Sequence, residues 1–240
     1  MVSTFTILST AWPSFWYNPG MSLQKRLHQS PRAEEEGAES SSPVSTGSGS
    51  EEEDFFRRIV CGDRAAAALL YDRFADQVNR TLWRLLGADP DHDDLVNEVF
   101  LRLINSVRRV RDPRKLRGWV LSITVNTARG ELRKRSLRRR FFSEKQPMSE
   151  SMTNVQDPEA RDLLAVTFAV LNRIPADLHV VFALRHIDDR SLEEIAAICK
   201  CSLATVKRRL ARADKRFAKL ARQEPALDDR LRRSSRWGTA

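Results

Sequence analysis

The chain has 240 residues, 41% of them hydrophobic and 30% charged, which is enough for one large or two small folded domains. Its 41 lysines and arginines against 32 aspartates and glutamates give a formal net charge of +9, which favours a polyanionic partner such as nucleic acid or an anionic membrane face. Three cysteines argue against a disulfide framework, favour a reducing cytoplasm, and leave no clustered Cys or His for a zinc site.

The positive charge lies in two short stretches of the chain. Residues 106–140 carry 13 basic and 2 acidic side chains, and residues 203–222 carry 8 basic and 1 acidic. Their net charges of +11 and +7 exceed the whole excess, so the rest of the chain is net acidic. No apolar run approaches the roughly 20 residues of a membrane span, so we expect no membrane insertion.

Residues 1–50 are predicted to be a disordered N-terminal extension. From Glu34 to Ser50 the chain is mostly Ser, Gly and Glu with almost no apolar side chain, so burial cannot offset the entropy of ordering. Met21 is an alternative start of the protein, a choice that the sequence leaves open.

Helical periodicity predicts a first domain over residues 51–140. Four segments carry it: a short helix with Phe55 and Ile59, a helix from about Ala65 to Leu86 ended by Gly87, a third helix after the acidic turn Asp89–Asp94, and a fourth from Trp119 to Arg140. The third helix is predicted to bury a stripe made of Leu95, Val96, Val99, Phe100, Leu103 and Ile104. Its opposite face shows Asp94, Asn97, Glu98 and Arg102.

Residues 141–158 lack periodicity and contain two prolines, which predicts a linker. A second helical domain follows over residues 159–222, and residues 223–240 are predicted to be a flexible tail. Because no stretch shows sustained alternation, we expect an all-α fold of two small helical domains joined by a flexible linker.

A helix-turn-helix is predicted within residues 191–217. Ser191 and Glu194 have capping-box spacing, and Ser202 caps the next helix after a turn at Cys199–Cys201. In such a motif the N-terminal part of the second helix enters the major groove. The candidate base and phosphate contacts are Ser202, Leu203, Ala204, Thr205, Lys207, Arg208, Arg209 and Arg212. The alternative is a solvated basic face on an ordinary helix pair.

The other basic stretch combines cations with an aromatic side chain, as surfaces for unpaired strands do. Its candidate residues are Arg114, Lys115, Arg117, Trp119, Asn126, Arg129 and Arg133. The alternative for Trp119 is a core tryptophan, because large aromatics at helix starts often pack.

Residues from about Phe55 to Leu220 together resemble the extracytoplasmic-function class of bacterial sigma factors. DLVNEVFLRL at 94–103 is similar to that family's second conserved region. RDPRKLRGWVLSITVNTARGELRKR at 111–135 is similar to the segment that melts and reads the −10 element. The −35-reading domain is matched by IPADLHVVFALRHIDDRSLEEIAAICKCSLATVKRRLARADKRF at 174–217.

The resemblance implies a non-catalytic protein without a cofactor that binds core RNA polymerase, directs it to a promoter and helps to open the DNA. The helix with Asp94, Asn97, Glu98 and Arg102 would dock on polymerase. Trp119, Asn126 and the basic loop would handle the −10 strand, and the helix from Ser202 would read −35 duplex. Members of this class are commonly held inactive by an anti-sigma partner, so such a partner is a candidate here.

Two positions depart from the family pattern. Gly130 stands where Asp is frequent, and a glycine inside a helix costs about 1 kcal/mol relative to alanine. Lys200 stands at the turn position usually held by Gly, where a left-handed backbone would cost roughly 1–2 kcal/mol.

Two other classes of function remain as alternatives. A helix-turn-helix regulator acting without polymerase explains residues 191–217 but leaves the helix at 94–104 and the basic loop unassigned. An enzyme acting on DNA needs a nucleophile with convergent arginines or clustered carboxylates for metal. Tyr71, the candidate nucleophile, lies in an apolar helix and is interpreted as a core residue.

Overall fold

The protein, seen here in a computed structural model, is described over residues 48–61, 63–110, 112–142 and 158–228. Within these ranges the regular secondary structure is entirely helical, which confirms the predicted all-α fold. The α-helices are α1 (Ser48–Val60), α2 (Arg64–Leu86), α3 (His92–Ser106), α4 (Leu116–Phe142), α5 (Pro158–Asn172), α6 (Ala176–His186), α7 (Leu192–Cys199) and α8 (Leu203–Ala221). Most of the predicted extension, linker and tail lies outside the described residues, although α1 already begins at Ser48.

The bounds of α2 follow from residues at its two ends. Asp63 caps its start, because the Asp63 side chain accepts a hydrogen bond from the Ala65 amide at 2.8 Å. Gly87 ends it at φ 71°, and its amide donates to the Trp83 carbonyl. A Cβ at Gly87 would lie 2.8 Å from Phe168 Cγ in α5, so this position needs glycine for both conformation and space.

The predicted buried stripe of α3 is confirmed for five of its six residues: Leu95, Val96, Val99, Phe100 and Leu103. The prediction for Ile104 was wrong, because its side chain is 44% exposed. At about 100° per residue, Ile104 lies about 110° from the centre of the stripe, beyond the edge that the neighbouring helices cover.

Helix α4 begins three residues before the predicted start at Trp119. Asp112 accepts a hydrogen bond from the Arg114 amide at 3.1 Å and starts a 3₁₀ turn, Pro113–Lys115, that leads directly into the helix. Burial then follows the helical repeat through Val120, Leu121, Val125, Ala128 and Leu132. α4 packs against both α2 and α3, which makes it the central helix of the first half.

The second half is built from α5 to α8. The rings of Phe182 in α6 and Phe217 in α8 lie 4.7 Å apart between centroids, within a cluster that also buries Phe168 and Leu171 of α5. Leu227, in the segment predicted as a flexible tail, is buried in the same cluster. Ordered packing therefore extends at least to this residue.

The two halves are in direct contact. Helix α4 packs against α6 and α7, and α2 packs against α6. One continuous cluster of buried side chains includes Val125 and Leu132 of α4 together with Val181 of α6 and Ile195 of α7. The Ser122 hydroxyl, itself buried, donates a 2.9 Å hydrogen bond to the Ile198 carbonyl in the last turn of α7. We call this contact region the interdomain interface.

Candidate nucleic-acid interface

The predicted helix-turn-helix is formed by α7, a three-residue turn and α8. Ser191 and Glu194 make the capping box, with the Ser191 amide 2.8 Å from Glu194 Oε2 and the Glu194 amide 3.1 Å from Ser191 Oγ. The bond from the Ser191 amide, followed by one from Arg190, holds the pKa of Glu194 below its ordinary value. Lys200 ends α7 at φ 50° and ψ 49°. This is the left-handed backbone conformation that the sequence analysis described as unfavourable for a lysine at this turn.

Helix α8 is sharply amphipathic. It buries Val206, Ala213 and Phe217 on one side. Of the candidate DNA contacts, the side chains exposed to solvent are Ser202, Ala204, Lys207, Arg208 and Arg212. Leu203, Thr205 and Arg209 are half-buried at the edge of the apolar stripe. The basic side chains therefore lie on a surface rather than in the interior, and this part of α8 is called the recognition surface below.

The N-terminus of α8 is built to face an anion. Ser202 accepts a hydrogen bond from the Thr205 amide at 3.2 Å, and the two hydroxyl oxygens lie 2.9 Å apart. The first amides of a helix carry a partial positive charge and attract phosphate oxygens. The Ser202 cap and the basic side chains of the recognition surface therefore make this end of α8 suitable for contact with DNA phosphates.

The loop before α4 exposes the first part of the predicted strand-binding set. The side chains of Arg114 and Lys115 are 87% and 80% exposed, and Arg117 is exposed as well. Trp119 is half-buried and packs against the core, so its ring is both a packing element and partly accessible. Asn126 is exposed on α4 and accepts a 2.8 Å hydrogen bond from Arg129.

The last two predicted strand-binding residues lie against the second half of the molecule. Arg129 Nε is 3.2 Å from Asp177 Oδ1, and Arg133 Nη2 is 3.1 Å from both carboxylate oxygens of Asp177. The side chain of Arg129 is only 13% exposed, whereas that of Arg133 is 61% exposed. This arrangement was not predictable from the sequence, because the partners are more than 40 positions apart.

A cleft of about 420 Å³ lies between α1, α2 and the loop before α4. Arginines line it from two directions, Arg73 and Arg80 from α2 and Arg114 and Arg117 from the 3₁₀ turn and the start of α4, and Asp76 of α2 lines it as well. Phe55 of α1 contributes a half-buried ring over which Arg73 sits at 5.3 Å. Sequence reasoning missed Arg73 and Arg80, since α2 carries acidic residues as well and shows no charge run.

The face of α3 predicted to bind polymerase points to solvent. Asp94 and Asn97 are exposed, and Glu98 forms an ion pair with Arg102 one turn later. Leu101, which sequence reasoning did not select, is 61% exposed in the middle of this face. This aliphatic side chain is surrounded by the polar side chains of the same helix face.

The described residues give no indication of a reactive cysteine, a metal site or a membrane-spanning helix. Burial raises the pKa of the Cys199 thiol, so it is an inert packing residue rather than a metal ligand. Among the described residues there is no group of three His, Cys, Asp or Glu side chains suited to a metal ion. No helix in the same ranges is long and apolar enough to cross a membrane.

Two family models match the chain, one in each half. Residues 70–138, from α2 to α4, match sigma-70 region 2, and residues 168–217, from α5 to α8, match sigma-70 region 4. Each match covers one of the two surfaces described above.

Named relatives are similar to 65% of the chain. The ECF RNA polymerase sigma-E factor of Haemophilus influenzae is 28% identical over 166 residues, which is 65% of this chain and 87% of that protein. The factor of the same name from Escherichia coli strain K12 is also 28% identical over 166 residues, 65% of this chain and 86% of that protein. A solved structure of CnrH in complex with the cytosolic domain of CnrY has a TM-score of 0.49 and 20% identity, covering 72% of this chain and 98% of that chain.

Proposed function

Because the chain belongs to the extracytoplasmic-function class of RNA polymerase sigma factors, we propose that its two halves read two parts of a promoter. The first half docks on core polymerase and holds the −10 element as an opened strand, and the second half reads the −35 element as duplex DNA. The observation that carries this proposal is a pair of separate cationic surfaces, one within the sigma-70 region 2 match and one on a capped recognition helix within the region 4 match. The protein acts in the cytoplasm as a non-catalytic subunit.

The recognition surface divides into base-reading and phosphate-holding residues. Arg208 and Arg209 lie in the first two turns of α8 and have the guanidinium geometry that pairs with guanine. Thr205 is placed to contact a thymine methyl group or a phosphate. Lys207 and Arg212 are exposed point charges for the phosphate backbone.

The strand-binding surface consists of the arginine-lined cleft and the neighbouring start of α4. Arg114, Lys115 and Arg117 carry exposed charge for the phosphates, and Trp119 offers part of its ring for stacking. Asn126, about two turns after Trp119 on α4, adds a polar side chain that can hydrogen-bond to a base edge.

The exposed face of α3 is assigned to core polymerase. Leu101 lies between Asn97, Glu98 and Arg102 on the helix surface and supplies an apolar centre to a polar rim. We expect Leu101→Ser to abolish most polymerase binding. Leu69→Ser is the matched control, because Leu69 is also an exposed leucine, 45% accessible, but lies on α2.

The central experiment combines a pull-down with run-off transcription. Purified full-length chain is mixed with core polymerase and fragments of the host genome. Transcripts that start at specific promoters only when the chain is added support the proposal. Binding to duplex DNA without polymerase association would instead identify a helix-turn-helix regulator that acts alone.

Two variants separate the surfaces. Arg208→Ala should weaken −35-dependent transcription about tenfold or more, since one base-reading arginine is lost, and should leave the pull-down unchanged. Lys219→Ala removes an exposed charge near the far end of the same helix and should change both readouts little. Loss of polymerase binding in Arg208→Ala would contradict the assignment of surfaces.

A further inference from the structure

The recognition helix α8 carries one carboxylate among its cations. Residues 203–222 have 8 basic side chains and 1 acidic side chain, which is Asp214. Asp214 Oδ1 accepts a 2.8 Å hydrogen bond from Nε2 of His186, the last residue of α6. Resting on the proposed function, we infer that Asp214 and His186 are a positioning pair: their bond sets the orientation of the recognition surface, and thereby its preference for the −35 element over other duplex DNA.

Asp214 does not lie on the DNA-reading side of α8. At about 100° per residue, it lies about 120° away from Arg208 around the helix axis and only about 60° away from the buried Phe217. A carboxylate on a recognition helix normally accepts a hydrogen bond from a cytosine, and away from a base it repels the phosphates. The direction of Asp214 and its bond to His186 therefore suit it to hold α8 on α6 rather than to read DNA.

Two contacts side by side hold α8 against α6. The apolar contact is formed by the rings of Phe182 and Phe217, whose centroids are 4.7 Å apart. The polar contact is the bond from His186 to Asp214, in which the His186 side chain is 2% exposed and the Asp214 side chain 25%. The edge contact between the rings of Phe182 and His186, at 4.5 Å, holds the imidazole from a second side. The carboxylate of Asp214 therefore meets a donor whose position is fixed by packing.

The polar contact limits rotation of α8 more sharply than the apolar contact does. Apolar contact is non-directional, whereas a hydrogen bond keeps its donor and acceptor within about 2.7–3.2 Å. A rotation of α8 by about 15° moves a side-chain end that is roughly 6 Å from the axis by about 1.6 Å. Such a shift takes Arg208 out of the bidentate geometry that pairs it with guanine. The bond between His186 and Asp214 therefore acts on base reading through the orientation of the helix.

The charge of Asp214 and its hydrogen bond predict opposite effects on DNA binding. Loss of the carboxylate raises the net charge of the recognition helix by one, which strengthens binding to the phosphates of any duplex. Loss of the bond frees the orientation of α8, which weakens only the binding that depends on base contacts. The ratio of the affinities for the −35 element and for unrelated duplex therefore separates the two effects.

The test compares Asp214→Asn with Asp214→Ala, which remove the same charge and differ in the hydrogen bond. Holoenzyme is assembled from the full-length chain and core polymerase. Its affinity is measured for a promoter fragment recovered by run-off transcription and for the same fragment with its −35 element scrambled. We expect the alanine variant to lose about tenfold in the ratio of these affinities, as for the loss of one base-reading side chain. The asparagine variant, whose amide can still bond to His186, should stay within about twofold of wild type.

Three further variants complete the comparison. His186→Ala removes the same bond from the other side and should lower the ratio as much as Asp214→Ala does. Glu193→Gln, which removes a negative charge from the exposed face of α7, should leave the ratio unchanged. Asp214→Glu carries the test if the alanine variants do not fold, since it keeps the charge and displaces the acceptor by about 1.5 Å. Its ratio should fall about threefold, because α8 must shift to keep the bond.

An alanine variant in which both affinities change by the same factor would overturn the inference, because Asp214 would then act only through its charge. An asparagine variant as defective as the alanine variant would also overturn it, and so would a glutamate variant with the wild-type ratio. Failure of the proposed function is seen separately, with the wild-type chain. That chain would then give no promoter-specific transcripts, or its holoenzyme would not prefer the intact −35 element.

Discussion

The turn of the helix-turn-helix contains a residue in an unfavourable backbone conformation. Lys200 has φ 50° and ψ 49°, and the amides of Lys200 and Cys201 donate to the Ala197 and Ala196 carbonyls at 3.3 and 3.0 Å to close α7. An L-residue with a Cβ in this region costs roughly 1–2 kcal/mol, which glycine avoids. The Lys200 side chain is exposed, so its removal loses little packing. Lys200→Gly should therefore stabilise the protein.

The size of the effect is the difference between two terms. The relief of roughly 1–2 kcal/mol in the folded state is opposed by about 0.5–1 kcal/mol, because glycine gives the unfolded chain more freedom. The net gain is about 0.5–1 kcal/mol in the free energy of unfolding. For a folded part of this size, that corresponds to a rise of about 1–4 °C in Tm.

A series of substitutions at Lys200 separates the cost of the left-handed backbone from the loss of the side chain. Lys200→Ala removes the same side chain beyond Cβ but keeps the strain, and Lys200→Asn should be intermediate because asparagine tolerates the left-handed region. Scanning calorimetry and urea unfolding of the full chain give the order Gly, then Asn, then Ala and wild type. A glycine variant no more stable than the alanine variant would refute the reasoning.

Three further outcomes follow from burial and backbone geometry. Gly87→Ala should lower the free energy of unfolding by about 1–3 kcal/mol in urea, since its Cβ would meet the Phe168 ring at 2.8 Å; wild-type stability would contradict this. Gly130→Ala should raise it by about 1 kcal/mol, because no atom lies within 4 Å of the added Cβ, and a loss would refute that account. Burial of His179, with Arg135 and Arg139 adding to the effect, lowers its pKa to about 3. In the unfolded chain the His179 imidazole takes up a proton near its ordinary pKa, whereas in the folded chain the buried imidazole stays neutral. The free energy of unfolding should therefore fall by about 1.4 kcal/mol between pH 7.5 and 5.5. His179→Leu should lack this part of the pH dependence, and an unchanged slope would assign it to other groups.

The helices were predictable because their signals are local. The end of α2 at Gly87, the capping box at Ser191 and the Ser202 cap of α8 each depend on residues within a few turns. The start of α4 was placed three residues late, because the Asp112 cap and the following 3₁₀ turn were interpreted as loop. Ile104 was assigned to the core although its angle on the helix already placed it at the edge.

The candidate site was only half predictable, because its remaining features depend on contacts between distant segments. The sequence indicates that Arg129 and Arg133 are cations on a helix face, but it does not indicate that Asp177 lies opposite them. His179 has no distinguishing neighbours in sequence, and its burial arises only where Leu85 of α2 and Leu171 of α5 meet it. Leu101 stands out only once its exposure is known.

The uninterrupted length of α4 has a mechanical consequence. Its 27 residues form a rod about 40 Å long, with Trp119 in the first turn and Arg139 near the other end. A tilt of only about 10° about one end moves the other by about 7 Å. The hydrogen bond from Arg139 to the Asn172 carbonyl therefore fixes the orientation of α4 relative to α5, and it couples the end of α5 to the position of Trp119 at the far end of the rod.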